Sequence, residues 1–138
     1  MITHISLIEI WVNDHDASKA FYIDKLGFVE TADVTMGDGY RWVTIAHPDH
    51  RDLEVTLMKP GPPLDDDDAK SIKRLMDKGS LPAVGLHTND CQAAFEQLSE
   101  AGVEFTQEPS DRPYGVEAVF RDNTGNWIVL VERNTQNQ

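Results

Sequence analysis

Oxygen and nitrogen donors interrupt stretches of this sequence that are otherwise apolar. Glu9 lies in the stretch LIEIW, Glu54 in LEVTLM and His87 in AVGLH. A carboxylate in such a stretch costs free energy unless it is paired or faces water, and an imidazole titrates near neutral pH. Glu9 and His87 are therefore candidate acid–base catalysts, and with Glu54 they are candidate metal ligands. The alternatives are an ion pair at a subunit contact for Glu9 and a structural role for His87.

Aromatic side chains form a second candidate set, because large flat rings offer contact area to a planar ligand. Trp11 shares a strand face with Glu9 and is the first candidate for ligand contact. Arg112, next to the loop at Tyr114, is a candidate clamp for an anionic group. The alternatives are core packing for Trp127 and an ordinary surface loop around Arg112. The candidate ligand-binding residues are Glu9, Trp11, Tyr40, Trp42, Thr56, His87, Arg112, Tyr114 and Trp127.

Other reactive residue types give weaker signals. The remaining histidines fall at a strand start, a helix start and a turn, which predicts surface positions for His4, His15, His47 and His50. Cys91 is the only cysteine, so no disulfide forms within the chain, and no base lies near it in sequence to make it a nucleophile. The acidic run at 65–68 lacks the spacing and glycine of a calcium loop, which favours a solvated helix start. No serine–histidine–aspartate order, phosphate-binding loop or dinucleotide fingerprint occurs.

The elements that must position the candidate residues occur twice along the chain. The segment SLIEIWVNDHDASKAFYIDKLGFVE aligns with AVGLHTNDCQAAFEQLSEAGVEF. Each copy predicts a strand, an Asn-Asp break, a helix, a glycine and a second strand. Asp14 and Asp90 are predicted helix N-caps, because a carboxylate accepts the free N–H groups of the first turn. Gly27 and Gly102 suit the left-handed residue that ends a helix.

Strand-forming residues complete each copy. They occur at 41–45, 53–57, 117–120 and 127–131. In the first helix, Ala17, Ala20 and Phe21 recur at helical spacing and predict its apolar side. The sequence therefore predicts one α+β domain over residues 1–138, built from two tandem βαβββ modules. The modules are expected at about 1–60 and 81–134, with a linker and a short helix at about 61–80.

Size and charge narrow the functional classes. The 138 residues are 40% hydrophobic and 26% charged, which is typical of one soluble domain with a real core. The net charge of −12 argues against binding nucleic acid or an anionic membrane, since both require clustered Lys and Arg. No apolar run reaches the length of a membrane span, and no basic stretch begins a secretion signal. These features predict a cytoplasmic protein.

The motifs resemble those of the vicinal-oxygen-chelate superfamily. The resemblance covers nearly the whole chain and depends on Phe21-Tyr22, Leu26-Gly27-Phe28 and the segment FRDNTGNW at 120–127. That group includes glyoxalase I, fosfomycin-resistance enzymes, extradiol dioxygenases and bleomycin-binding proteins. The resemblance implies curved mixed sheets around a cleft, usually completed by pairing two subunits, so a homodimer is expected. It does not fix the function, because the fold hosts metal enzymes and metal-free binders.

The resemblance also implies where a metal ion would be bound. The four ligand positions fall at Leu7, Thr56, Ala83 and Val129, with Glu54 as the alternative to Thr56 in a shifted register. Hydrocarbon side chains have no donor atom for a divalent ion. The sequence therefore predicts no metal cofactor. The leading hypothesis is a metal-independent binding protein that sequesters an aromatic or cationic compound, as in the bleomycin-resistance branch and its antibiotic-resistance role.

Two other functions stay open from the sequence. One is a lyase, isomerase or dioxygenase-like enzyme that uses Glu9, Glu54 and His87 as displaced metal ligands. The same enzyme class could use metal-free acid–base catalysis by Glu9 and His87. The other is an interaction or regulatory module that binds no small ligand.

Overall fold

A computed structural model describes residues 1–134 of the chain. Two compact units emerge, one of residues 1–74 and the other beginning at residue 75, and each contains one four-stranded sheet. Between the fourth and fifth strands runs helix α2 (Asp66–Asp77), and the division between the units falls within it. No helix in the described part of the chain is both long and apolar enough to cross a membrane.

The first unit is a mixed sheet with a helix on one side. Its elements are β1 (Leu7–Trp11), α1 (His15–Lys19), a π-helix that continues α1 (Ala20–Lys25), β2 (Val29–Thr35), β3 (Arg41–His47) and β4 (His50–Met58). The strand order is β1-β4-β3-β2, in which β1 runs parallel to β4 and the other pairs are antiparallel. The buried apolar side chains include Ile10, Val12, Phe21, Tyr22, Val43, Ile45 and Leu57. They fix α1 against one face of the sheet.

The second unit repeats the arrangement. Its elements are β5 (Pro82–His87), α3 (Cys91–Glu100), β6 (Phe105–Arg112), β7 (Gly115–Arg121) and β8 (Trp127–Arg133). The strand order β5-β8-β7-β6 matches that of the first unit. Phe105 lies between Phe95 of α3 and Phe120 of β7, with ring centroids 4.8 and 5.2 Å away. This aromatic group packs α3 against one face of the sheet.

The predicted α+β fold of two tandem modules is confirmed, and so are its helix caps. The side chain of Asp14 accepts a hydrogen bond from the backbone N–H of Ala17 at 3.0 Å, and that of Asp90 accepts one from Ala93 at 2.9 Å. Gly27 and Gly102 have φ angles of 84° and 88°, the left-handed conformation that favours glycine. The predicted strands lie within the observed ones. The cleft, the homodimer and the cytoplasmic location stay predictions.

The predicted apolar side of the first helix is right for Phe21 and wrong for Ala17 and Ala20. Ala17 and Ala20 are exposed, whereas Ser18, Phe21 and Tyr22 are buried. The two large aromatic rings decide which side faces the sheet, because they bury far more apolar area than alanine does. Ser18 lies on the same side of the helix as these rings and is small enough to be buried there. A pattern of apolar residues does not predict its burial, because serine is polar.

Candidate functional site

The face of the first sheet opposite α1 carries most of the sequence-predicted site residues. We call it the tryptophan face, and it consists of Leu7, Glu9, Trp11, Trp42, Thr44, Glu54, Thr56 and Met58. These residues share a face because side chains alternate along each strand. The register pairs Leu7 with Glu54, Glu9 with Thr56 and Trp11 with Met58. It also pairs Thr44 with Thr56, which brings β3 into the same face.

Two indole rings lie in one row across this face. Trp11 is opposite Met58, and the register that pairs Thr44 with Thr56 puts Trp42 next to Met58 on the other side. All three side chains of the row are half-buried, and Glu9 in the adjoining row is exposed. The row therefore presents two flat rings and a polarisable thioether beside a carboxylate.

Thr56 lies in the centre of the face with an unsatisfied hydroxyl. The residue is 1% exposed, and its Oγ1 has no hydrogen-bond partner within residues 1–134. Its neighbour Thr44 is equally buried, but the Oγ1 of Thr44 is 2.6 Å from the Oγ1 of Thr31. A buried hydroxyl without a partner carries an uncompensated desolvation cost. Within the described residues it is therefore a buried hydroxyl whose hydrogen-bonding capacity the protein does not use.

In the second unit, four polar residues form a group that we call the glutamate cluster: Gln107, Arg112, Tyr114 and Glu117. The carboxylate of Glu117 accepts hydrogen bonds from the Tyr114 hydroxyl and from Gln107 Nε2 at 3.4 Å, and lies 3.7 Å from Arg112 Nε. Arg112 also donates to Gln107 Oε1 at 3.2 Å. The hydrogen bond to Glu117 raises the pKa of the Tyr114 hydroxyl. Glu117 therefore shares the charge of Arg112, and the role of Arg112 as a clamp for an anionic group stays a prediction.

The sequence reading placed Arg112 and Tyr114 near each other but missed Glu117 and Gln107. The signal that singled out Glu9, a carboxylate within an apolar strand, applies equally to Glu117 in the stretch GVEAVF. Gln107 gave no signal of its own, because a glutamine on an exposed strand face is ordinary.

The structure places the other two second-unit candidates at the sheet surface. His87, at the end of β5, is exposed, and its Nε2 is 3.3 Å from Asn89 Oδ1. Trp127 begins β8 and is 37% exposed, so the alternative that it fills the core is wrong. Strand alternation explains this, because Ile128 is the neighbour that points into the core.

Tyr40 lies apart from the tryptophan face, in a pocket of about 370 Å³ within the first unit. His15 also lines this pocket, and its Nε2 is 2.9 Å from the carbonyl oxygen of Leu57. The prediction that His15 is an ordinary surface residue is therefore wrong. Burial, followed by nearby Arg41 and Lys59, lowers the pKa of His15, although the Leu57 carbonyl opposes the shift. Sequence reasoning also missed Arg41 and Lys59, since a basic residue next to a strand end gives no distinctive signal.

An ion-pair network holds one side of this pocket. Asp33 accepts hydrogen bonds from Arg41 at 2.8 and 2.9 Å and from Lys19 at 2.7 Å. Arg41 also binds Asp16 at 2.8 Å, and Lys19 binds Glu30 at 2.6 Å. The two cations keep the pKa of the Asp33 carboxyl well below its usual range. The network fixes the position of the Arg41 guanidinium.

The metal positions implied by the family can be compared between the two units. Glu9 pairs with Thr56 in the first unit, and Gly85 pairs with Val129 in the second. Thr56 is therefore the counterpart of Val129, which resolves the earlier ambiguity against Glu54. The four positions then offer three hydrocarbon side chains and one hydroxyl, a donor set that does not fit a divalent ion.

The displaced metal site proposed from the sequence has no support from geometry. Glu9 and Glu54 share the tryptophan face at diagonal positions of neighbouring strands, and His87 lies in β5. Within residues 1–134, no group of three or more His, Cys, Asp and Glu side chains is placed to hold a metal ion. Catalysis by Glu9 or His87 stays a prediction.

Cys91 occupies a structural position. Its side chain is buried, and its backbone N–H donates to Glu132 Oε1 at 2.9 Å. Burial and the nearby Glu132 carboxylate raise the pKa of the thiol. A thiol of this kind is a poor nucleophile at neutral pH.

Comparison with known proteins agrees with this fold. A family model described as the Glyoxalase/Bleomycin resistance protein/Dioxygenase superfamily matches residues 2–130. The uncharacterized protein YurT of Bacillus subtilis (strain 168) is 36% identical over 129 residues, which cover 94% of this chain and 98% of YurT. The crystal structure of UcmS2 superposes with a TM-score of 0.88 at 41% identity, covering 96% of this chain and 99% of UcmS2.

A second solved structure has a described ligand class. TnmS3 from Streptomyces sp. CB03234, described as an antibiotic binding protein, is 30% identical to this chain and superposes with a TM-score of 0.75. The match covers 96% of this chain and 98% of TnmS3.

Proposed function

We propose that this chain, which belongs to the Glyoxalase/Bleomycin resistance protein/Dioxygenase superfamily, binds a small aromatic or cationic compound on the tryptophan face and sequesters it without a metal ion. The observation that carries the proposal is the half-buried row of Trp11, Met58 and Trp42 beside the exposed carboxylate of Glu9. The buried hydroxyl of Thr56 lies beneath this row without a protein partner in the described residues, and it gains a hydrogen bond when a ligand displaces the side chains that cover it.

Each part of the tryptophan face contributes a different interaction. The two indole rings and the methionine thioether give contact area to a planar ring system, with little loss of side-chain freedom. The Thr56 hydroxyl would fix the orientation of a polar substituent on that ring. Glu9 and Glu54 add negative charge at the edge of the same face, which favours a cationic group over an anionic one.

The relatives support an antibiotic as the compound class. TnmS3 is described as an antibiotic binding protein, and this chain matches it along nearly its full length. The donor set at the four family positions supports the metal-free form of the proposal, because one hydroxyl and three hydrocarbons cannot hold a divalent ion.

Calorimetric titration tests the proposal with three probes: metal-free bleomycin, the planar cation proflavine, and neutral coumarin, all in the presence of EDTA. At least one probe is expected to bind, and Trp11→Ala should weaken that binding by roughly tenfold or more, the scale of one lost ring-stacking contact. Trp11→Phe should retain most of the affinity, because it keeps a flat ring.

Leu53→Ala is the matched control, since Leu53 lies on β4 but alternates to the opposite side from the tryptophan face. It should leave the affinity unchanged. If wild type and Trp11→Ala bind the probe equally strongly, the ligand does not bind on this face, and the proposal is overturned.

A further inference from the structure

The pocket next to α1 has the dimensions of a small-ligand site. It lies where β1 and β4 end and β3 begins, and its lining includes His15, Tyr40, Arg41, Lys59, Pro60 and Pro62. Its volume of about 370 Å³ falls at the lower end of the range for small-molecule sites. That space equals the liquid volume of about a dozen water molecules, which suits one ring with one substituent.

The lining residues carry two cations and no carboxylate. Arg41 uses Nε and Nη2 for its hydrogen bonds to Asp33 and Asp16, which leaves Nη1 without a partner within residues 1–134. Lys59 likewise makes no ion pair with the described part of the chain. The lining therefore includes two side chains with N–H groups that can donate to an anionic group.

His15 completes the polar side of the pocket as a neutral group. Its Nε2 donates to the Leu57 carbonyl oxygen, so in the neutral ring Nδ1 is an acceptor. Both Arg41 and Lys59 disfavour protonation of the ring, in addition to its burial. His15 therefore adds no third positive charge near neutral pH.

The rest of the lining includes apolar, stiff side chains. The ring of Tyr40 is 38% exposed, and the pyrrolidine rings of Pro60 and Pro62 line the same space. Proline has a fixed φ angle and tyrosine few rotatable bonds, so a ring that contacts them loses little further freedom. We propose that this pocket binds a small aromatic monocarboxylate, with its carboxylate on Lys59 Nζ and Arg41 Nη1 and its ring against Tyr40 and the prolines. This inference does not depend on the function proposed for the tryptophan face.

Backbone amide NMR titration with benzoate tests the proposal, with benzamide as the neutral probe of the same shape. Benzoate should shift the amide signals of Tyr40, Arg41 and Lys59, and should bind more tightly than benzamide. Lys59→Met should weaken benzoate binding by roughly tenfold, the scale of one charge-assisted hydrogen bond, and leave benzamide unaffected. Tyr40→Leu should weaken the binding of both probes, because both rings contact the tyrosine.

Lys70→Met is the matched control, since Lys70 is an exposed lysine of α2 outside the pocket lining. It should bind benzoate like wild type, and its spectrum should show an intact fold. Three outcomes would overturn the proposal: no shift at the pocket amides, equal benzoate affinity in Lys59→Met, or shifts of the same size with inorganic phosphate alone. The last result would identify a site for any anion without a requirement for the ring.

Discussion

Thr44 and Thr56 are paired neighbours on the tryptophan face, yet their hydroxyls differ in one respect. Both residues are buried, but only Thr44 has a hydrogen-bond partner, the hydroxyl of Thr31. The Thr44–Thr31 bond offsets the cost of removing two hydroxyls from water. The hydroxyl of Thr56 has no such compensation within the described residues, so in the free protein it lowers stability.

Replacing each threonine by valine keeps the shape and removes only the hydroxyl. Thr44→Val should lower the free energy of unfolding by about 1 kcal/mol, because Thr31 loses its partner. Thr56→Val should leave that free energy unchanged or raise it by up to about 1 kcal/mol, because a desolvated group disappears. Urea unfolding of both variants measures the difference. If Thr56→Val lowers the free energy of unfolding as much as Thr44→Val does, the Thr56 hydroxyl already has a hydrogen-bond partner in the free protein.

The sequence predicted which residues share this face but not the state of their polar atoms. Strand alternation was enough to group Glu9 with Trp11 on β1 and Glu54 with Thr56 on β4, since the period of two is a property of the strand itself. Whether a hydroxyl has a partner depends on side chains from other strands. The prediction that His15 is an ordinary surface residue was wrong for the same reason. Its hydrogen bond to Leu57 joins residues that are 42 positions apart in the sequence.

At the scale of elements, the network around Asp33 joins α1 to the hairpin of β2 and β3. Asp16 and Lys19 lie in α1, Asp33 in β2 and Arg41 at the start of β3. The four side chains are linked by hydrogen bonds of 2.7–2.9 Å. The network therefore holds the helix and the hairpin, and with them one wall of the pocket, in a fixed relation.

Asp33→Asn should lower the free energy of unfolding by about 1 kcal/mol near neutral pH, since the network is partly exposed and water screens it. The folded-state pKa of Asp33 is depressed, so its stabilisation is complete above the unfolded pKa of about 4 and is lost as the pH falls further. Urea unfolding across this acid range should therefore show the difference between wild type and variant shrinking at low pH.

Asp24→Asn provides the control for that titration, because Asp24 is an exposed carboxylate of the π-helix. Its free energy of unfolding should be close to that of wild type near neutral pH, because Asp24 makes no ion pair with the described residues. A difference between wild type and Asp33→Asn that stays constant as the pH falls would show that the charge of Asp33 contributes nothing.

Sequence reasoning recovered the order of the elements because their ends have local signals. The caps at Asp14 and Asp90 and the glycines at 27 and 102 act within one helical turn, so the sequence alone reveals them. The Asp33 network depends on pairing between β2 and β3, and no local pattern indicates it. The exposed side of α1 was misjudged for a similar reason, since Phe21 and Tyr22 set its orientation through contacts with the sheet.

At the scale of the whole molecule, the two units share a topology but differ in the chemistry of corresponding sheet faces. The first unit presents the row of Trp11, Met58 and Trp42, whereas the second presents the glutamate cluster around Glu117. The repeat was visible in the sequence because fold-determining positions coincide in both copies. The residues that would contact a ligand differ between the copies, so the repeat itself carried no information about them.

The metal-free binding function is tested most directly by asking whether a bound probe is held unchanged. The probe is whichever of metal-free bleomycin, proflavine and coumarin binds most tightly. It is incubated with the protein with and without EDTA. Calorimetry then measures its affinity, and mass spectrometry measures its mass and recovery. The proposed function predicts the same affinity under both conditions and full recovery of the probe at its original mass. Affinity that disappears with EDTA, a product of altered mass, or no binding by any of the three compounds would contradict it.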